Sequence, residues 1–349
     1  MVPTISIYIA LLIFSFIITS ILIVPFIDLL YRLHLTHHHY LKPTIKEETG
    51  VFNVALIPSQ KLKIGTPIGG GILIIFIVSL LFAVTLSIYS KLGLAIFPLY
   101  SLLEELNILF FTFISFSLLG LYDDILKIFN LNQNKFIIKP LRKTTLTILL
   151  SGLISLMLYL NLQIEIFYIP FIGTITLGWF FVPISTLIIS FFSKAFDITD
   201  GMDGLAVGNL LISLIAFWAI SLTVIDSILS VFIALWVGSL IAFLYFNVYP
   251  ARIWLGNVGS LSFGATLAVI AILLGKTGVL FLIGFFFVLE AFSQLIQVVV
   301  VSITRKPAFP VTPIHYWLQS LGWPEPKIVM RSWLFTLITA VFGLWLSEI

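Results

Sequence analysis

The chain is expected to fold as an all-α polytopic membrane protein with about ten transmembrane helices, and three features of its sequence predict this. Its 349 residues are 60% hydrophobic and only 9% charged, a balance that soluble globular domains do not show. Apolar blocks near the ~20 residues needed to cross a bilayer recur along the whole length. The polar segments between them alternate between lysine-rich and lysine-poor. The sequence contains no cysteine, which excludes disulfides, thiolate zinc sites and cysteine nucleophiles. It also has no basic stripe with interleaved aromatics on a polar segment, so no nucleic-acid partner is expected.

Ile5 to Ile27 is apolar for long enough to span, has no positive charge before it, and is followed by Asp28 and Arg32. It reads as a retained first span, because a cleaved signal peptide is shorter and basic at its start. Further spans are expected at about 68–90, 107–121, 144–160, 179–193, 205–224, 228–247, 260–274, 277–303 and 328–346. The block 277–303 exceeds the ~20 residues of a straight span and is therefore tilted or broken. Ile164 to Trp179 is apolar but interrupted by Pro170, Gly173 and Gly178, and reads as a short hairpin at the membrane interface. Residues 1–349 together read as one transmembrane domain.

Alternating the spans sorts the loops onto two sides. One collects Arg32, Lys42, Lys46, Lys61, Lys63, Lys127, Lys135, Lys139, Arg142, Lys143, Lys194, Arg252, Arg305, Lys306, Lys327 and Arg331, while the other keeps Lys91 and Lys276. The positive-inside rule makes the crowded side cytoplasmic and both termini extracytoplasmic. The crowded side also holds Asp123, Asp124, Asp197, Asp200, Asp203 and His315. Acids and bases converging on one face of a polytopic protein point to a site opening to the cytoplasm.

The segment Lys194-Ala-Phe-Asp197-Ile-Thr-Asp200-Gly-Met-Asp203-Gly-Leu-Ala-Val-Gly-Asn209 places three carboxylates at spacings of three between long apolar blocks. Such spacing is expected to bring them toward a common point. A hard cation with phosphate ligands is a reason to keep them, since Mg²⁺ binds one or two carboxylates, waters and substrate phosphate. Adjacent Asp123 and Asp124 repel each other, which can leave one able to accept a proton near neutral pH. Gly256-Asn257-Val-Gly259-Ser260 makes a glycine-rich entry to a helix, where backbone N–H groups can meet an anion. Gly65-Thr66-Pro67-Ile68-Gly69-Gly70-Gly71 is a second such entry, phosphate-binding or structural. His37, His38 and His39 are consecutive and cannot all reach one ion, so they read as an interfacial polar run. Glu290 lies inside an apolar block, either functional or hydrogen-bonded to Ser293 or Gln294.

Asp123-Asp124, Asp200-Gly-Met-Asp-Gly204, Gly256-Asn-Val-Gly-Ser260, Glu290-Ala-x-Ser293-x-x-x-Gln297, Thr312-Pro-Ile-His315 and Gly322-Trp-Pro-Glu-Pro-Lys327 follow one another in this order. Together, with Gly-Thr-Pro at 65–67, they resemble the phospho-N-acetylmuramoyl-pentapeptide transferases, within the polyprenyl-phosphate sugar-1-phosphate transferases. The resemblance implies a Mg²⁺-dependent bacterial inner-membrane enzyme that transfers phospho-MurNAc-pentapeptide from UDP to undecaprenyl phosphate, releasing UMP. It implies that Asp123 or Asp124 acts as base, with Asp200 and Asp203 at the nucleotide-sugar and metal site. Lys143, Lys194, Asp197 and His315 would bind substrate, Asp200, Asn257 and Asp197 would hold the metal, and a homodimer is implied as well. The alternatives are a sister transferase for another UDP-amino-sugar and a non-catalytic lipid- or nucleotide-binding homologue.

The chain departs from that pattern at five positions. The family usually has Asp at Asn257, Asn at Lys194 and at Asp197, and histidines at Tyr316 and Trp317. Asp197 could supply the charge Asn257 lacks, or Lys194, three residues before it, could pair with it instead.

Overall fold

The computed structural model describes residues 5–36, 65–92, 97–128 and 140–348. His37, His38 and His39, and with them Lys42, Lys46, Lys61, Lys63, Lys135 and Lys139, lie outside the described residues. The helices in chain order are α1 (Ile5–Arg32), α2 (Gly70–Leu92), α3 (Leu102–Ile128), α4 (Pro140–Leu160), α5 (Phe181–Thr199), α6 (Leu205–Thr223), α7 (Ser227–Asn247), α8 (Asn257–Leu273), α9 (Thr277–Ile283), α10 (Phe285–Thr304), α11 (Ile314–Ser320) and α12 (Glu325–Ser347). In a bilayer each backbone N–H and C=O must be satisfied within its own segment, which is why these Leu-, Ile- and Phe-rich runs become helices. Among the described residues nine are long and apolar enough to cross a membrane, and α8 is a shorter apolar helix.

Helices α7 and α8 form the centre. Every residue of α8 from Val258 to Leu273 is buried, as is α7 from Ser227 to Leu240. Around them pack α1, α2, α3 and α5. Phe113 of α3 meets Phe232 and Trp236 of α7 edge-on, with ring centroids 5.3 and 5.4 Å away, and stacks on Phe263 of α8 at 5.9 Å. With 17 residues, α8 is about 25 Å long, less than the ~30 Å hydrocarbon core. Shielded by its neighbours, it has no need to match the bilayer, and its N-terminus stops inside the protein.

Two expectations are refined. The block 277–303 is broken at Gly284, where a Cβ would come within 2.8 Å of the Phe192 ring, so α9 and α10 are separate helices. The third and fifth spans run further than hydropathy alone indicates, to Ile128 and Thr199, and carry Asp123, Asp124 and Asp197 on helical backbone. The hairpin forms from β1 (Ile166–Ile169) and β2 (Gly173–Thr176), antiparallel with Ile166 opposite Thr176 and Ile169 opposite Gly173. Lys276 lies over the Tyr168 ring and donates to the Ser347 carbonyl at 2.6 Å, joining the hairpin to the C-terminal end of α12.

Candidate active site

The site is built around the N-terminus of α8. The turn before it needs Gly256, whose φ of 79° lies in the left-handed region and whose Cβ would come 2.8 Å from Asp124 Oδ2. Close approach of α3 depends on Gly120, where a Cβ would run into the Asn257 carbonyl, and that of α2 on Gly71, where it would run into the Gly259 backbone. The Val258 N–H then donates to Asp124 Oδ2 at 3.1 Å, so the anion at this helix start is the protein's own carboxylate. The second glycine-rich entry is structural. Gly69 and Gly70 donate to the Trp254 carbonyl at 3.1 and 2.9 Å, and Gly71 donates to that of Leu255 at 2.8 Å.

Four helices meet in one ionic network. Lys143 Nζ, from the first turn of α4, lies 2.9 Å from Asp123 Oδ2 of α3 and 3.1 Å from Asp197 Oδ2 of α5. Lys127 Nζ reaches the same Asp123 oxygen at 3.0 Å, and Asn257 Nδ2 donates to it at 2.8 Å. Lys194 Nζ lies 3.6 Å from Asp197 Oδ2, and Ser260 Oγ donates to Asp197 Oδ1 at 3.3 Å. Of the two readings of Asp197, pairing is the arrangement found, with Lys143 as well as Lys194. Asp124 enters no ion pair among the described residues.

A second group lies beyond the end of α5. The three carboxylates do not face a common point, because the helix ends at Thr199 and the chain turns through Gly201 and Gly204. Asp197 turns into the lysine network, whereas Asp203 accepts from the Ala251 N–H at 3.0 Å and the Trp254 indole at 3.2 Å. The Asp203 N–H donates to Glu325 Oε1 at 2.7 Å, so this residue ties the loop leading to Gly256 to the start of α12. Of the partners expected from sequence, Ser293 bonds to Glu290, its Oγ donating to the Glu290 backbone carbonyl at 2.7 Å, while the Glu290 side chain turns elsewhere. Its carboxylate lies 3.0 Å from His315 Nδ1 and accepts from the His315 N–H at 3.2 Å, all fully buried. His315 Nε2 is buried, makes no hydrogen bond among the described residues and faces Gly201. Tyr316 donates to the Gly201 carbonyl at 3.2 Å. Burial, followed by the carboxylates of Glu325, Glu290, Asp200 and Asp203, pushes its phenol up.

The structure thus joins Asp123, Lys143, Lys194, Asp197 and Asn257 through side-chain contacts and sets Asp124 against the same helix start. Asp203 and His315 fall in the second group. Asp200 is the C-cap residue of α5, its N–H donating to the Phe196 carbonyl at 3.0 Å. Sequence reasoning missed Lys127, Ser260 and Glu325 as site residues. Lys127, at i+4 from Asp123, carried a readable signal, and Glu325 lies within the Gly322–Lys327 motif, where nothing in the sequence pairs it with Asp203.

Mg²⁺ binds through one or two carboxylates and completes its shell with water and phosphate oxygens. Among the described residues no three or more of His, Asp and Glu are grouped to enclose a metal ion. Both oxygens of Asp197 are engaged, and Asn257 turns its amide nitrogen to Asp123. Asp123 Oδ1 enters no hydrogen bond or ion pair among the described residues. It and the Asn257 side-chain carbonyl oxygen are the oxygens left at the network for an ion held jointly with substrate phosphates.

The family described as Glycosyl transferase family 4 matches residues 106–275. A phospho-N-acetylmuramoyl-pentapeptide-transferase of Clostridium perfringens (strain SM101 / Type A) is 32% identical over 333 residues, covering 95% of this chain and 93% of its own. Proteins of the same name from Leuconostoc citreum (strain KM20) and Borrelia turicatae (strain 91E135) are 34% and 36% identical, over 82% and 81% of this chain and 87% and 82% of theirs. The chain belongs to glycosyl transferase family 4 and, within it, to the enzymes that transfer a sugar 1-phosphate to a polyprenyl phosphate.

Proposed function

We propose that this protein transfers phospho-MurNAc-pentapeptide from UDP-MurNAc-pentapeptide to undecaprenyl phosphate, giving the first lipid-linked peptidoglycan precursor and UMP. The observation that carries this reading is the network in which Lys143 bridges Asp123 and Asp197 where α3, α4, α5 and α8 meet. By the positive-inside rule, that end of the bundle faces the cytoplasm and both termini face outward. One substrate is a long apolar chain and the other is water-soluble, so their phosphates can meet only at the membrane surface.

A phosphate oxygen of the lipid attacks the phosphorus bonded to the sugar, and the bond from that phosphorus to the UMP oxygen breaks. Joining the two substrates crowds negative charge, so the barrier falls when cations oppose it. Lys143 and Lys194 supply fixed cations for the diphosphate. Asp124, which has no ammonium partner among the described residues, takes any proton the lipid phosphate carries, while Asp123 holds Lys127 and Lys143 in place. His315, oriented by Glu290, and Asp200 flank the nucleotide side, and Asp203 positions the loop before α8. A bound Mg²⁺, held by Asp123, Asp200 and Asn257 with substrate phosphate, would neutralise further charge.

The test supplies purified protein with labelled UDP-MurNAc-pentapeptide and undecaprenyl phosphate, with and without Mg²⁺. Release of UMP with a labelled lipid supports the reading. Product from UDP-GlcNAc in its place would assign a sister transferase. Binding without product would assign a non-catalytic homologue, which Asn257, Tyr316 and Trp317 would then explain.

A further inference from the structure

We propose that the substrate-free centre is saturated by its own lysines and binds no divalent ion, and that the ion enters only together with the donor's diphosphate. This rests on the placement of the diphosphate in the transferase reading above. The network holds the carboxylates of Asp123 and Asp197 against the ammonium groups of Lys127, Lys143 and Lys194. Lys143 Nζ, 2.9 Å from one acid and 3.1 Å from the other, occupies the position an ion bridging them would take. Lys194 shares the Asp197 oxygen at 3.6 Å, Ser260 engages the other oxygen at 3.3 Å, and Asn257 brings an amide without charge. A dication arriving here would face Lys143 and Lys194, whose side chains are 11% and 26% exposed, where like-charge repulsion is less screened than in water.

A diphosphate reverses that balance. Its oxygens form charge-assisted contacts with Lys143 and Lys194 and draw both away from Asp197. Asp123, through the Oδ1 that makes no contact among the described residues, then faces a polyanion with fewer cations beside it, and a dication shared with the phosphates becomes favourable. Lys194 is the deciding residue, because its only ion pair among the described residues is with Asp197.

The experiment measures Mn²⁺ binding by electron paramagnetic resonance on the full-length purified protein, with and without UDP as the diphosphate probe. Wild type is expected to bind Mn²⁺ with UDP and not without it. Lys194→Met is expected to bind Mn²⁺ without UDP about tenfold or more tightly than wild type, by removing one unit of like charge. Asn257→Asp, which adds an acid, is expected to shift affinity in the same direction and carries the comparison if Lys194→Met does not fold. Equal Mn²⁺ binding by wild type with and without UDP overturns the proposal, as does unchanged affinity in both variants. Mn²⁺ that follows UDP while no lipid product ever forms overturns the transferase reading and leaves this proposal standing.

Discussion

Lys143 touches two acids from two different helices, and no apolar side chain could replace it without leaving both short of a cation. Its side chain is 11% exposed, and the Asp123 and Asp197 side chains are 9% and 21% exposed. Removing one partner of a buried ion pair costs about 3–5 kcal/mol, because the remaining charge is left without compensation. Since Lys127 and Lys194 remain as partial partners, Lys143→Met is expected to cost about 3 kcal/mol in denaturant unfolding and to abolish transfer. Lys143→Arg keeps the charge and is expected to retain most of the stability. An unchanged unfolding midpoint in Lys143→Met would refute the network's energetic role. At the second group, Glu290→Gln keeps the size of the side chain but removes the charge that orients His315. A hydrogen bond to a charged group contributes about 1.5–3 kcal/mol, so transfer is expected to fall about tenfold to a hundredfold. Loss of stability without loss of rate would make the pair purely structural. These residues were legible in sequence because an acid or base inside an apolar chain stands out. Which oxygen faces which ammonium was not legible, because it depends on how four helices cross.

At the scale of elements, the site depends on α3 and α2 lying unusually close to the start of α8. Gly120→Ala would drive a methyl group into the Asn257 carbonyl, and backbone cannot yield as a flexible side chain can. Overpacking of this kind costs about 1–3 kcal/mol and would move Asp123 and Asp124 away from α8. Gly152→Ala on α4 is the control, since its Cβ would meet Thr186 at an ordinary 3.9 Å. It is expected to be neutral or to stabilise by about 0.5–1 kcal/mol, as Ala does over Gly within a helix. If both variants unfold alike and retain equal transfer, the close approach has no functional consequence. The spans themselves were readable from hydropathy, and so was the oversize of the block at 277–303. Helix ends were not, because Glu104, Glu105, Asp123 and Asp124 lower hydropathy while continuing the helix that contains them. The common point assigned to Asp197, Asp200 and Asp203 failed for a related reason: equal spacing implies a shared face only while the helix lasts, and this one stops at Thr199.

For the whole molecule, the charge asymmetry and the site occupy the same end of the bundle. Helix α8 starts at Asn257 in the network and reaches Leu273 just before Lys276, so one helix length separates the network from that lysine. Helix α2 likewise begins beside Trp254 and ends with Lys91 in its last turn. Toward the network end lie Lys127, Lys143, Lys194 and Lys327, the last joined by Arg331 over the Trp323 ring at 4.5 Å each. A lysine-rich end is retained on the cytoplasmic side during insertion, and a water-soluble nucleotide donor is available only there. Both arguments therefore require one orientation, and the absence of cysteine makes it directly measurable, since an introduced thiol is the only reactive one in the chain. Lys91→Cys and Lys306→Cys replace exposed lysines that lie outside the ionic network. Lys91→Cys is expected to react with a membrane-impermeant maleimide added to intact cells, whereas Lys306→Cys should react only after the membrane is opened. The reverse pattern would place the network on the outer face, where no UDP-linked donor could reach it, and the proposed reaction would fail even if every contact in the site were correct.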